Sequence, residues 1–220
     1  MIRMPVSAMI GLFFTALYFL AAIFAPVIAP YGMAEVVGDV WEPMSAEHWL
    51  GTDSIGRDLL TRMIYGGRTT IFIATMATIL SFTTGSVLGF LAATVGGWVD
   101  QALSRFVDLM MAIPSLIFAL VVLSVMPVTV TVLIFVMGLL DATRVYRLAR
   151  AVAVDITVMD YVEAARLRGE GQVWVIFREI LPNALSPLVA EMGLRFIFMV
   201  LSTVVVQHSP TCNHNVRVES

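Results

Sequence analysis

Few residues in this 220-residue chain are equipped for covalent or redox chemistry. There is one cysteine, Cys212, and the three histidines are His48, His208 and His214. A zinc site needs several Cys, His or carboxylate ligands that converge on one point, and no histidine here has metal-ligand spacing with a cysteine pair. His208, Cys212 and His214 do cluster, but in the terminal tail, where a chance run accounts for them. The Ser, Thr and Asp residues form no nucleophile, base and orienter set. All thirteen basic residues are arginine. A phosphate-cradling P-loop requires a lysine, and so does Schiff-base catalysis. The chain is therefore not itself an ATPase of that type. It reads as a non-enzyme with no cofactor or metal of its own.

The remaining chemistry is electrostatic, and its setting is apolar. Hydrophobic residues make up 59% of the chain and charged residues 13%, against roughly 25% charged in a soluble domain. Mean hydropathy is +0.91. A compact soluble fold of this size leaves too much surface exposed to hide so much apolar area. The composition implies an integral membrane protein. One cysteine excludes a disulfide scaffold, and a net charge of −3 without a basic block argues against nucleic acid as a partner.

A helix needs about 20 mostly apolar residues to cross a hydrocarbon core of about 30 Å. Five stretches are read as spans: residues 7–29, 69–95, 106–126, 128–140 and 185–206. The first exceeds the apolar run of a signal peptide and is taken as an anchor. In the second, Gly85 and Gly89 have GxxxG spacing, which lets helix backbones approach closely. The third holds Asp108 near its start and Pro114 inside. The fourth is short, and the break before it falls at Met126–Pro127. In the fifth, Glu191 and Arg195 stand four apart, and pairing with each other would offset the cost of charge in the membrane.

Between the spans lie two long polar segments. Residues 31–68 carry six acids and three arginines and end in a short amphipathic helix over 57–65. There Leu59, Leu60, Met63 and Ile64 share one face, and Asp58 and Arg62 share the other. Residues 141–182 carry Arg144, Arg147, Arg150, Arg166, Arg168 and Arg178. Among the arginines before the tail and outside the spans, these six join Arg3 and Arg105 on one side, against Arg57, Arg62 and Arg68 on the other. The positive-inside rule then puts 141–182 in the cytoplasm and 31–68 outside.

The cytoplasmic segment contains DYVEAARLRGEGQVWVIFREILPNA. Asp160 can cap a helix, with Glu163 three residues on. Ala164 and Ala165 favour helix. Gly169 and Gly171 break it. A second helix over 172–181 follows, and Pro182 leads towards the last span. A helix–glycine–helix with an apolar face must bury that face against membrane or a partner. A surface-lying connector without a partner is the plainer alternative.

These residues resemble the EAA signature of ABC importer permeases: Glu163-Ala164-Ala165, then Gly169, then Leu181-Pro182. Glu179 departs from the usual apolar residue at its position, although the peptide branch often has a polar residue there. A second run, Trp49-Leu50-Gly51-Thr52-Asp53, then Gly56-Arg57-Asp58, with Arg62, Tyr65-Gly66 and Arg68, resembles the GTD-x-x-GRD segment of dipeptide, oligopeptide and nickel permeases. More narrowly, it resembles the second of their two permease subunits. The resemblance covers about residues 7–201.

It implies an all-α, polytopic membrane domain of the type I ABC importer kind. About five spans are present of an expected six. The implied organisation is an N-terminal anchor (1–30), an extracytoplasmic segment with an amphipathic helix (31–68), a permease core (69–206) with its coupling loop at about 141–182, and an atypical tail (207–220). The implied role is a subunit moving peptides or similar small solutes across the bacterial inner membrane. Coupling to cytoplasmic ATP-binding subunits falls to Asp160, Glu163, Ala164, Ala165, Arg166, Gly169, Leu181 and Pro182. ATP would be bound by those partners. A homologous permease and an extracytoplasmic solute-binding protein complete the implied assembly. In that family a sixth span follows, whereas here the sequence after about Ser202 ceases to resemble it. A truncated, non-transporting remnant or a membrane-anchored interaction protein is therefore the alternative, and a transporter driven by protons or ions through Asp108 and Glu191 is a weaker third.

Overall fold

The computed structural model describes residues 6–126 and 129–207, and the described residues are helical apart from loops and one isolated β-bridge. The tail, with His208, Cys212 and His214, and the break at Pro127 lie outside the described residues. The chain divides into two compact units, Met1–Phe72 and Ile73–Ser220.

The first unit contains α1 (Val6–Ile23), the short α2 (Ala25–Ile28), a looped segment, and the start of α3 (Leu59–Val95). Large apolar side chains of α1 are exposed almost all round, Leu12, Phe13, Tyr18 and Ile23 among them. A helix apolar on every face suits lipid rather than water. The expected separate amphipathic helix over 57–65 is absent. Its residues open α3, a single helix of 37 residues, or about 55 Å at 1.5 Å per residue. Nor does Asp58 share an exposed face with Arg62. Asp58 is buried and accepts a hydrogen bond from Thr61 N–H at 2.7 Å, so it caps the first turn of α3.

The second unit is built on the rest of α3, with α4 (Gly97–Ala112), α5 (Ser115–Val125), α6 (Val130–Thr157), α7 (Asp160–Leu167), α8 (Gln172–Val175) and α9 (Leu181–Gln207). Two helical runs are long and apolar enough to cross a membrane, Leu59–Val95 and Gln172–Gln207. A third is the bent pair of α4 and α5, and Met9–Ile23 is a shorter apolar helix. The fold is that of a helical membrane protein.

Three details differ from the sequence expectation. The span over 106–126 is not one helix: the chain turns by 83° between α4 and α5. Ile113 is extended there and Pro114 begins the new helix, as the steric demands of proline on its predecessor require. The stretch 128–140 does not stop at Leu140 but continues as α6 to Thr157. The helices over 172–181 and 185–206 are one run, joined by a π-helical turn at Ile176–Ile180. Leu181 N–H reaches back five residues to Ile176 O. Pro182, next in line, has no N–H and would crowd Arg178 O in a regular helix, so the wider turn accommodates it.

The glycine pair behaves as its spacing implied. A β-carbon on Gly85 would lie 2.7 Å from Ala142 O and from Val145 Cβ, and one on Gly89 would lie 2.9 Å from Tyr146 O and Ala149 Cβ. From the other side, one on Gly138 of α6 would meet Leu80 Cδ2 at 2.8 Å. Only hydrogen fits at these crossings, so α3 and α6 touch backbone to backbone. Thr78, Thr84 and Thr94 return their hydroxyls to carbonyls four residues back, at 2.7–2.8 Å. That satisfies them without water.

Candidate functional site

Three constellations stand out. The first is the segment around α7, which the sequence resemblance marks for contact with ATPase subunits. Met159, not Asp160, is the N-cap of α7, and it makes no side-chain capping bond. Asp160 and Glu163 instead lie in the first turn and Arg166 in the last, where each complements the helix dipole. The expected capping box is thus replaced by plain charge placement.

Val162 and Ala165 are fully buried. They join Ala149 and Ala153 of α6, Val175 of α8, Ile180, and Ala184 and Leu188 of α9 in one apolar cluster. Glu163, Ala164 and Arg166 face outward with Tyr161 and Leu167, the latter 83% exposed. Within the motif, then, Ala165 serves the core and Ala164 the surface.

The helix ends in a two-bond turn. Gly169 N–H donates to Arg166 O at 2.9 Å, and Glu170 N–H donates to Ala165 O at 3.3 Å. Gly169 has φ +83°, and nothing lies within 4 Å of the point a β-carbon would occupy. This is the left-handed glycine cap of a Schellman turn. Glycine is needed for its backbone angle, not for room. Arg168 then lies over Trp174, 5.9 Å from the ring centre, a cation–π contact. Leu181 and Pro182 start α9 beyond the π turn, Leu181 half-buried and Pro182 exposed.

The second constellation is the looped segment of the first unit. Asp53 Oδ1 accepts from Ile55 N–H at 2.7 Å and Arg57 N–H at 3.0 Å, while Oδ2 pairs with Arg62. The Arg57 amide above all, with the Arg62 guanidinium adding to it, holds the Asp53 carboxyl below the usual carboxylate range against the opposing effect of burial. Thr52 donates its hydroxyl to Asp39 O and accepts from Glu42 N–H at 2.8 Å. Gly51 and Gly56 have φ +77° and +79°. A β-carbon on either would fall within 2.4 Å of a backbone oxygen, Glu42 O or Gly38 O. His48 Nδ1 lies 3.4 Å from Asp58 Oδ1. The side chains of Thr52, Asp53 and Asp58 point into the fold. The motif therefore holds its own loop together, leaving Trp41, Met44 and Trp49 on the outside.

The third constellation was not singled out from sequence. Asp141 is buried in the middle of α6. Ser81 Oγ donates to its Oδ2 at 3.3 Å, and Arg195 and Arg144 lie 3.8 and 3.9 Å from its Oδ1. Arg195 also pairs with Glu191 at 2.8 Å, as their spacing implied. Two carboxylates and two guanidiniums thus balance one another, which is what tolerable intramembrane charge requires. Nearer the other end of α6, Arg150 pairs with Asp100 of α4, and Ser104 of α4 stands 3.0 Å from the Tyr146 hydroxyl. The one legible sign of these networks was that Asp141 and Arg144 continue the helical period past Leu140.

Residues 85–207, more than half of the chain, match the family described as binding-protein-dependent transport system inner membrane component. The chain belongs to this family. Residues 6–39 also match the N-terminal transmembrane domain of oligopeptide transport permease C. The dipeptide transport system permease protein DppC of Escherichia coli K12 is 39% identical over 197 residues, covering 86% of this chain and 66% of that protein. DppC of Haemophilus influenzae is 34% identical over 193 residues, covering 84% and 65%. The oligopeptide permease protein OppC of Bacillus subtilis is 31% identical over 188 residues, covering 85% and 62%. The chain thus spans a little under two thirds of the length of these relatives. In this inner-membrane family member Ala165 lies in one apolar cluster with Leu181 packed against it, Glu163, Ala164 and Arg166 are on the outer face of α7, and Gly169 stands exposed outside the cluster. Gly51, Thr52, Asp53, Gly56, Arg57 and Asp58 form one loop in the other unit.

Proposed function

We propose that this chain is a permease subunit of an ATP-driven importer that moves peptides or similar small solutes across the bacterial cytoplasmic membrane. The observation that carries the reading is the build of α7. Its inner residues Val162 and Ala165 are locked into a cluster with α6 and α9, while Tyr161, Ala164 and Leu167 are left outward. A partner gripping that outer face would load α6 and α9 together. Separate cytoplasmic ATPase subunits supply the grip. A homologous permease forms the other half of the path, and an extracytoplasmic binding protein delivers the solute.

The energetics are a population shift. ATP closes the ATPase pair, and closure must favour one permease conformation over the other through differential contacts. Asp160, Glu163 and Arg166 give the outer face of α7 its charge pattern, and Gly169 fixes the angle at which the chain leaves. Leu181 and Pro182 carry the motion past the π turn into α9.

Gentle extraction of the tagged chain, with mass spectrometry of what accompanies it, tests this. An ATPase and a second permease are expected with it. Leu167→Asp, on the exposed face, is expected to insert normally yet lose the ATPase and uptake. Undiminished ATPase recovery and uptake in that variant would sink the coupling assignment. A chain recovered alone would favour a non-transporting remnant.

A further inference from the structure

Charge inside a membrane helix calls for an explanation, and mutual neutralisation accounts for only part of this cluster. Asp141 lies eleven residues after Val130, the first residue of α6. That is about 16 Å along the helix, well inside α6 rather than at an end of it. Arg195 is 20% exposed at its side chain and spends its close contacts on Glu191, whereas Arg144 is 41% exposed and, among the described residues, makes none with a carboxylate closer than 3.9 Å. Its hydrogen bond goes to Ser115 Oγ at 3.2 Å.

Asp141, Arg144 and Ser115 line one cavity together with Ser202, Met137 and Phe198. The cavity therefore presents a guanidinium with unused donors, a carboxylate a few ångströms away, and two hydroxyls, against apolar walls from α5, α6 and α9. The recess is small, about 40 Å³, and open on one side, so it can receive the charged groups of a solute without enclosing the whole molecule.

We propose that this cavity is a solute-contact site on the translocation path that takes a zwitterion. Arg144, helped by Ser115 and Ser202, receives its carboxylate, and Asp141 receives its ammonium group. Guanidinium matches carboxylate geometrically, and a net-neutral cluster exchanges one internal pairing for another without stranding charge. The inference rests on the permease reading and deepens it, since it names residues that touch the cargo independently of any binding protein.

The test uses the full chain assembled with its co-purifying subunits in lipid nanodiscs. Leu116→Cys, at a wall residue given no part in holding the solute, in a Cys212→Ser background places a reporter thiol in the cavity, and its modification rate by a charged methanethiosulfonate is read with and without alanyl-alanine. Protection by alanyl-alanine is expected, with little from its C-terminal amide. Arg144→Gln is expected to weaken protection roughly tenfold or more, the loss of one charge-assisted hydrogen bond. Arg144→Lys, which keeps the charge but not the fork, should fall between the parent and Arg144→Gln. Equal protection by the amide, or undiminished protection in Arg144→Gln, overturns the proposal. So does an unprotected thiol in an assembly that still imports the dipeptide, which leaves the permease reading intact. Failure of the parent assembly to import any peptide overturns both.

Discussion

Gly169 offers the sharpest test of the coupling role proposed for α7. Its φ of +83° lies in the left-handed region, and no atom lies within 4 Å of where a β-carbon would go. Steric clash inside the chain therefore contributes nothing to the cost of a substitution, and backbone strain contributes all of it. An L-residue other than Gly or Asn pays roughly 1–2 kcal/mol in that conformation. That corresponds to a fall of about 5- to 30-fold in the population holding the two-bond turn, relative to its opened forms. Asn visits this region readily and serves as a helix cap there. β-Branched residues are the worst fitted. The expected order of uptake, and of ATPase retention on purification, is Gly169 above Gly169→Asn, then Gly169→Ala, then Gly169→Val. Asn is larger than Ala, so an order governed by crowding against a partner would place Ala above Asn. Finding Ala above Asn, with equal amounts of chain in the membrane, would refute the strain argument.

Two further outcomes follow from the geometry. Gly85→Leu forces a side chain into the α3–α6 crossing, where even a β-carbon lies 2.7 Å from backbone and side chain. Overpacking of this kind costs about 1–3 kcal/mol, to be read as a lower melting temperature of the purified protein, whereas Gly66→Leu, with open space at its β-carbon, should leave it nearly unchanged. The folded Asp53 carboxyl sits below its usual range, so its contribution is in full force above the unfolded value of about 3.9 and is lost as pH falls through the lower folded value. Protease nicking of the 31–58 loop should accordingly stay flat from pH 7 to about 4 and rise below that in the parent, while Asp53→Asn, which can still accept from Ile55 and Arg57 but lacks the charge for Arg62, should show a higher and flatter baseline.

What the sequence revealed and what it hid divide along a physical line. Features written in neighbouring residues were legible. The glycine spacing at Gly85 and Gly89 foretold a tight crossing, Gly169 foretold a helix stop, and Glu191 and Arg195 paired as four-residue neighbours on a helix must. Helix ends were less so: hydropathy falls at Asp141, yet α6 runs on to Thr157 because Arg195 and Asp100 supply the opposite charges from other helices. Those partners lie some fifty residues away along the chain, and no local pattern encodes them. Pro114 was visible, but whether proline bends a span or breaks it depends on the packing around Ile113. The GTD and GRD residues were legible as a motif. That they point inward, and that Gly51 and Gly56 each face a carbonyl too near for a methyl group, emerges only when residues 38 and 42 fold over them.

The π turn at Ile176–Ile180 acts as a dial set into the longest continuous helical run of the second unit. One surplus residue in a helix advances every later side chain by about 100° around the axis. The faces of Gln172–Val175 and Leu181–Gln207 are thus out of phase by a little over a quarter turn. Removing a single residue there would wind the turn back to an ordinary helix and swing Glu191, Arg195 and Met199 together away from α6, without altering any of them.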